Sequence, residues 1–168
     1  MSEVIIRLAT HADLPDLRRA VVELQEHERR LHASRLPGQE IADAYLAWLQ
    51  REAAEKCGAI FVAESDGVFA GFAVGWIAEH HNIAESAASN RFGHLSDICV
   101  MPPYRGQRIA HRLVTAIERH LGRAGITCLR LFTLSANASA RASYENAGFA
   151  PYEILYEKLV DGQGEADP

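Results

Sequence analysis

No apolar run in this sequence approaches the roughly 18 residues needed for a membrane-crossing helix. The opening residues, Met1-Ser2-Glu3-Val4-Ile5-Ile6-Arg7, lack the charged and then long apolar pattern of a secretory signal. These absences predict a cytoplasmic protein with no membrane partner. Cysteine is scarce: Cys57, Cys99 and Cys128 are odd in number and have no paired spacing, which argues against a disulfide framework or a zinc site and leaves buried thiols. Basic residues are also short, 17 Lys and Arg against 22 Asp and Glu for a net charge of -5, and the arginines are scattered. Without a basic stripe to neutralise a phosphate backbone, nucleic acid is not an expected partner. No Gly-x-Gly-x-x-Gly follows a first strand, so a dehydrogenase-type nucleotide-binding fold fails.

What is present is a 168-residue chain with 48% hydrophobic content and no internal repeat or interdomain linker. That suits one compact domain over residues 1–160, followed by a Gly, Asp and Glu-rich tail, 161–168, expected to be disordered. Ile5 to Leu8 reads as a first strand. Thr10-His11-Ala12-Asp13 then starts a helix carrying Leu14, Leu17, Val21, Leu24 and Leu31. Pro37-Gly38 breaks the pattern before a second helical stripe of Ile41, Ala44, Tyr45, Trp48 and Leu49. Ala59 to Ala63 and Val68 to Ile77 flank Glu64-Ser65-Asp66-Gly67, whose Asp-Gly marks an antiparallel hairpin. Ala78 to Asn90 is polar and His-rich, a loop at the sheet edge, and Phe92 to Val100 is a fourth strand. Ile109, Leu113, Ala116, Ile117 and Leu121 repeat at helical spacing up to Gly122. Cys128 to Leu134 reads as a fifth strand parallel to the fourth, Asn137 to Ala147 as a helix closed by Gly148, and Ile154 to Leu159 as a last strand. The predicted class is α+β with a mixed sheet.

The junction between the fourth strand and the third helix carries the functional signal. Arg105-Gly106-Gln107-Arg108-Ile109-Ala110 is a short turn that delivers backbone N–H groups to a helix N-terminus, where unpaired donors and the positive dipole end hold an anion such as phosphate. Two arginines flank it.

The stretch Leu95 to Val114 resembles the acyl-coenzyme A binding segment of the GCN5-related N-acetyltransferase (GNAT) family: a strand, a Pro-containing bend, an Arg/Gln-x-x-Gly-x-Gly/Ala loop and a helix. Asn137 to Phe149, with Asn137, Ala142, Tyr144 and Gly148-Phe149, resembles the same family's downstream motif. The resemblance implies a central, mostly antiparallel sheet with helices on both faces. It also implies that strands four and five are parallel and splayed, with the pantetheine arm between them paired to backbone near Cys99 and Val100. The pyrophosphate would then lie on the turn from Arg105, Gly106 and Gln107 through Arg108, Ile109 and Ala110, with Asn137 near the cofactor. Arg108 stands where the family has a glycine, and Ala110 where it has a second small residue. A bulky residue there is expected to keep its backbone near helical φ/ψ and point its side chain out of the loop.

Acyl transfer from a thioester to an amine needs a base for the amine proton and an acid for the departing thiolate. By resemblance Tyr144 is the general acid. Asn137, Arg141 and Tyr144 fall on one helix face, and Asn137 also suits an N-cap. His94 and Ser96 occupy strand positions where family members often carry the base. His94 is the first candidate because an imidazole is neutral near pH 7; Asp97, read as lying on the other face of the strand, is the second. Glu23, Gln25, Glu26, His27, Glu28 and His32 form a polar patch on the first helix, either a solvated face or, in the family's architecture, an attractor of a cationic amine. His27-Glu28 with His32 is one residue longer than a metalloprotease pair, and His80-His81 has no further ligands at metal spacing, so no metal is expected.

The expectation is therefore an acetyl-CoA-dependent N-acetyltransferase acting on a small-molecule or peptide amine by direct attack in a ternary complex. A non-catalytic acyl-CoA-binding or protein-interaction module on the same fold is the alternative. A homodimer through a sheet edge is compatible with the sequence and not demanded by it.

Overall fold

Thr10 and Asp13 decide where the first helix begins. The Asp13 carboxylate accepts from the Thr10 amide (2.6 Å) and hydroxyl (2.9 Å), closing a single 3-10 turn that runs into the helix with Pro15 in its first turn. In this computed structural model, which describes residues 3–160, the elements are β1 (Val4–Leu8), α1 (Leu14–Leu31), α2 (Gly38–Glu55), β2 (Ala59–Ser65), β3 (Val68–Glu79), β4 (Arg91–Val100), α3 (Ile109–Gly122), β5 (Leu129–Arg130) and α4 (Ala138–Asn146). The tail expected to be disordered lies outside the described residues.

The five strands form one sheet in the order β1-β2-β3-β4-β5, antiparallel except for the parallel β4–β5 pair. The Asp66-Gly67 turn joins β2 to β3 with both residues at positive φ (51° and 76°), the primed geometry whose twist matches the flanking strands. α1 and α2 cover one face, packing Leu17, Val21 and Leu49 against Val62, Phe72 and Trp76. α3 covers the other, with Leu113, Ile117 and Leu121 against Ala73, Ile77 and Leu95. Asp13 is held to the sheet by Arg7, whose two guanidinium nitrogens lie 2.8 and 2.7 Å from its carboxylate and which also pairs with Glu64. Among the described residues no helix is long and apolar enough to cross a membrane.

Two expectations about the end of the sheet need correction. The fifth strand is two residues long and not the predicted Cys128 to Leu134, with pairing limited to Gly93–Leu129 and His94–Arg130. Beyond Arg130 the chain leaves β4, so the two diverge. The predicted last strand, Ile154 to Leu159, carries no ladder: Leu155 and Tyr156 are 96% and 85% exposed. A strand needs a partner edge, and β5 is too short to supply one.

Candidate active site

Strict alternation along β4 would put His94 and Asp97 on opposite faces. A β-bulge changes that. Val74 pairs with Asp97 and Gly75 with Leu95, so Ser96 is the extra residue and everything on one side of it is shifted by one. His94 lies opposite Trp76 and Asp97 opposite Val74, both of which face α1 and α2. The two candidate bases therefore share the face that sequence periodicity had divided between them. Cys99 lies on that face too, and Leu95, Ile98 and Val100 turn to α3.

Asp97 is buried, 8% exposed, and has two hydroxyl partners. Tyr45 of α2 donates to its two oxygens at 3.1 Å each, and Ser96 donates at 2.6 Å. Burial pushes the carboxyl up to about 6; the two hydroxyls pull against it, Glu28 adds to the rise and Arg35 opposes it. The other buried carboxylate among the described residues, Asp13, is paired with Arg7, whereas Asp97 has no salt-bridge partner within 4 Å.

His94 sits between Trp76 and Phe132, at ring-centroid distances of 5.2 and 5.7 Å. Burial first, and then the nearby Lys56, holds its pKa below the ordinary value, so the ring is neutral at pH 7. Tyr144, on α4, has its phenol pushed up to about 12 by burial first and then by the negative charges of Asp97 and Glu28. The phenol stays protonated and can donate. Asn137 is buried and caps α4: its Oδ1 accepts from the Ala140 amide and the Ser139 hydroxyl, both at 3.2 Å, with His27 Nε2 at 3.5 Å. Arg141, on the same face as Asn137 and Tyr144, donates to the Ser135 carbonyl.

The loop ahead of α3 has a conformation its sequence did not announce. Gly106 (φ 78°) and Arg108 (φ 59°, ψ 17°) are both left-handed, so Arg108 takes the backbone a glycine would take and not the helical φ/ψ expected of a bulky residue. Its side chain is exposed, as expected. No side chain caps this end of α3, so its first-turn amides remain unpaired. Buried Ile109 fixes the helix start against the sheet, and Gln107 lies exposed beside it. Arg105 does not lie free beside the loop: its guanidinium donates to the Val100 carbonyl (3.0 Å) and pairs with Glu23 (3.2 Å).

The acidic patch of α1 is similarly occupied. Glu23 pairs with Arg105, Glu26 with Arg29 and the Gly38 amide, and Glu28 with Arg35. These pairs leave Asp97, among the described residues, as the buried carboxylate unmatched by a cation. Sequence reading missed Tyr45, which looked like one more member of α2's apolar stripe. The hint available was a phenol on that stripe, since a buried Tyr hydroxyl generally finds a partner. Burial pushes the Cys99 thiol up to about 12, which makes it a poor nucleophile.

Known proteins share this fold. An uncharacterised N-acetyltransferase, YycN, of Bacillus subtilis (strain 168) is 29% identical over 87 residues, 52% of this chain and 54% of that protein. The chain thus aligns with about half the length of that curated relative. The solved aminoglycoside N-acetyltransferase AAC(6')-Iy, in complex with CoA, superposes with a TM-score of 0.69 at 24% identity, covering 95% of this chain and 97% of that one. A predicted acetyltransferase with acetyl-CoA from Clostridium acetobutylicum gives a TM-score of 0.71 at 16% identity, with 94% and 96% covered. At such identities these structures show the fold alone. The sequence itself matches the acetyltransferase (GNAT) family over residues 19–149, and with the mixed sheet and the loop before α3 in place, the chain belongs to that family.

Proposed function

We propose that this protein transfers an acetyl group from acetyl-CoA to a primary amine by direct attack, with Asp97 receiving the amine proton. The observation that carries this reading is the buried Asp97 carboxylate, which has hydroxyl donors but no salt-bridge partner and a pKa raised to about 6. An ammonium group entering from solvent supplies the missing cation. Near neutral pH the carboxylate is ionised and basic enough to share that proton. This favours Asp97 over His94, whose ring is desolvated and packed between aromatic neighbours.

The residues around the α3 N-terminus suit the diphosphate of the thioester carrier. Unpaired amides from Gln107 to Ala110 and the positive end of the helix would hold the anion, with exposed Arg108 adding charge from the side. Cys99 and Val100 lie on β4 past the point where β5 departs, and a carrier bonding the Val100 carbonyl would share it with Arg105. The carrier supplies an activated acyl group. As the amine nitrogen bonds to the thioester carbon and the C–S bond breaks, Asp97 would hold the amine proton and Tyr144 would donate one toward sulfur. A phenol near 12 gives up a proton reluctantly to a thiolate near 8.5 in water. The same desolvation raises the thiolate, which narrows the gap.

The test is release of free thiol from acetyl-CoA with a panel of amines, for the wild-type protein and Asp97→Asn. Amine-dependent release that is lost in the variant supports the reading. Carrier binding without release by any amine overturns it in favour of a binding module.

A further inference from the structure

We infer that Tyr45 and Ser96 are positioning residues for the reaction: their hydroxyls clamp the Asp97 carboxylate in one orientation on the α1/α2 face of the bulge and set the pH at which it becomes a working base. The inference rests on the reading of Asp97 as the proton acceptor. It adds residues that neither the loop motif nor the downstream motif contains.

The geometry is specific. The Tyr45 hydroxyl is equidistant, 3.1 Å, from the two Asp97 oxygens, and Ser96 reaches Oδ2 at 2.6 Å. Tyr45 comes from α2, so the clamp ties the bulge to a different layer of the fold. Its ring is itself held: Trp48 lies 5.3 Å away, centroid to centroid, and Trp48 packs edge-on to Trp76 at 5.5 Å, which in turn contacts His94. A hydroxyl fixed by such a stack loses little freedom when it meets the carboxylate, so its hydrogen bond is available for orientation. Ser96 sits at the inserted position of the bulge, so the feature that turns Asp97 onto this face also brings its second donor.

The charged and titratable groups around Asp97 are Glu28 from α1, Arg35 from the α1–α2 connection, Tyr45 from α2 and Tyr144 from α4, with His94 and Cys99 along β4 itself. Burial and Glu28 favour the protonated acid; Arg35 and the two hydroxyls favour the carboxylate. Removing a hydroxyl therefore raises the Asp97 pKa and moves the acid limb of kcat/KM to higher pH. A hydrogen bond to a charged group corresponds to a displacement of about one pH unit.

The experiment measures pH profiles of kcat/KM for the wild type, Tyr45→Phe, Ser96→Ala and Asp97→Asn, using whichever amine shows turnover, with melting temperatures recorded alongside. The expected result is an acid limb about one unit higher in both hydroxyl variants, with the alkaline plateau nearly retained and the limb absent from the residual rate of Asp97→Asn. A merely structural role for Tyr45 would lower the rate at all pH values without moving the limb. Ser96→Ala leaves the aromatic stack intact and decides the matter should Tyr45→Phe fold poorly. If Asp97→Asn abolishes the rate and neither hydroxyl variant shifts the limb, the clamp is overturned and Asp97 stands. If Asp97→Asn keeps the wild-type rate and profile, the reading of Asp97 fails and the clamp fails with it.

Discussion

His94 and Asp97 face the same side of β4 although three positions separate them, because Ser96 is inserted between the pairs Gly75–Leu95 and Val74–Asp97. The shared face follows from that one residue. Without the insertion Asp97 would turn toward α3 and its apolar packing, away from the Tyr45 hydroxyl.

Asp97 is held at a cost in stability. Its folded pKa, about 6, lies above the ordinary carboxylate value near 3.9, so ionisation opposes folding. The penalty is absent below pH ~4, grows between ~4 and ~6 and is complete above. Asp97→Asn is accordingly expected to stabilise the protein by about 2 to 3 kcal/mol at pH 8 and by little at pH 4. Urea unfolding at the two pH values measures this; equal effects at both would contradict it.

Asp13 behaves in the opposite sense. Arg7, before the Thr10 bonds, holds its pKa well below the usual carboxylate range, so its contribution is present above pH ~4 and is lost as the pH falls through the folded value. Asp13→Ala removes both the partly buried ion pair and the turn that starts α1, with an expected loss of about 2 kcal/mol at pH 7. Asp13→Asn should lose less. Thermal melts compared at pH 7 and pH 3 test the pair, and the difference from wild type should shrink in acid.

Arg108 separates backbone from charge in the loop. A non-glycine residue at φ 59° carries a left-handed penalty of about 1 kcal/mol, which Arg108→Gly relieves and Arg108→Ala does not. If the unpaired amides of α3 supply the grip on a diphosphate, calorimetric titration with CoA will show similar affinity for Arg108→Gly and the wild type, with a higher melting temperature for the variant. A large loss of affinity would transfer the role to the guanidinium.

Tyr144→Phe keeps the ring contact with Phe149, 6.0 Å between centroids, and deletes only the donor. Loss of a general acid should lower kcat by about 10²-fold with little change in the KM for acetyl-CoA. Steady-state kinetics decide it. A fall in kcat/KM that comes wholly from KM would point to a binding role for the phenol.

What the sequence disclosed depends on the range of the interaction. Helical stripes, the Asp66-Gly67 hairpin, the Thr10–Asp13 helix start and the Asn137 cap are written in neighbouring residues, and all are present in the fold. The loop at Gly106 was visible as a motif. Its handedness was not, because Arg108 gives no sign that it will adopt a glycine's φ. The bulge escaped because period-2 reasoning assumes that no residue is inserted. Tyr45 and Asp97 are 52 residues apart, and Glu23 and Arg105 are 82 apart; such pairings depend on how layers stack, which no local pattern encodes. The final strand was overread because alternation reports what a segment could do, and β5 provides only two rungs for a partner to follow.

The early divergence of β5 from β4 has a geometric corollary. Between the turn at Gly106 and the carboxylate of Asp97 run the end of β4 and a 3-10 turn at Pro102–Tyr104, which set the distance between them like that between two pegs. A linear molecule anchored by its anionic end at one peg presents a single, predetermined atom at the other. On the proposed reading, carriers with a shorter or longer arm would engage either end but not both, and the spacing would act as a gauge of reach.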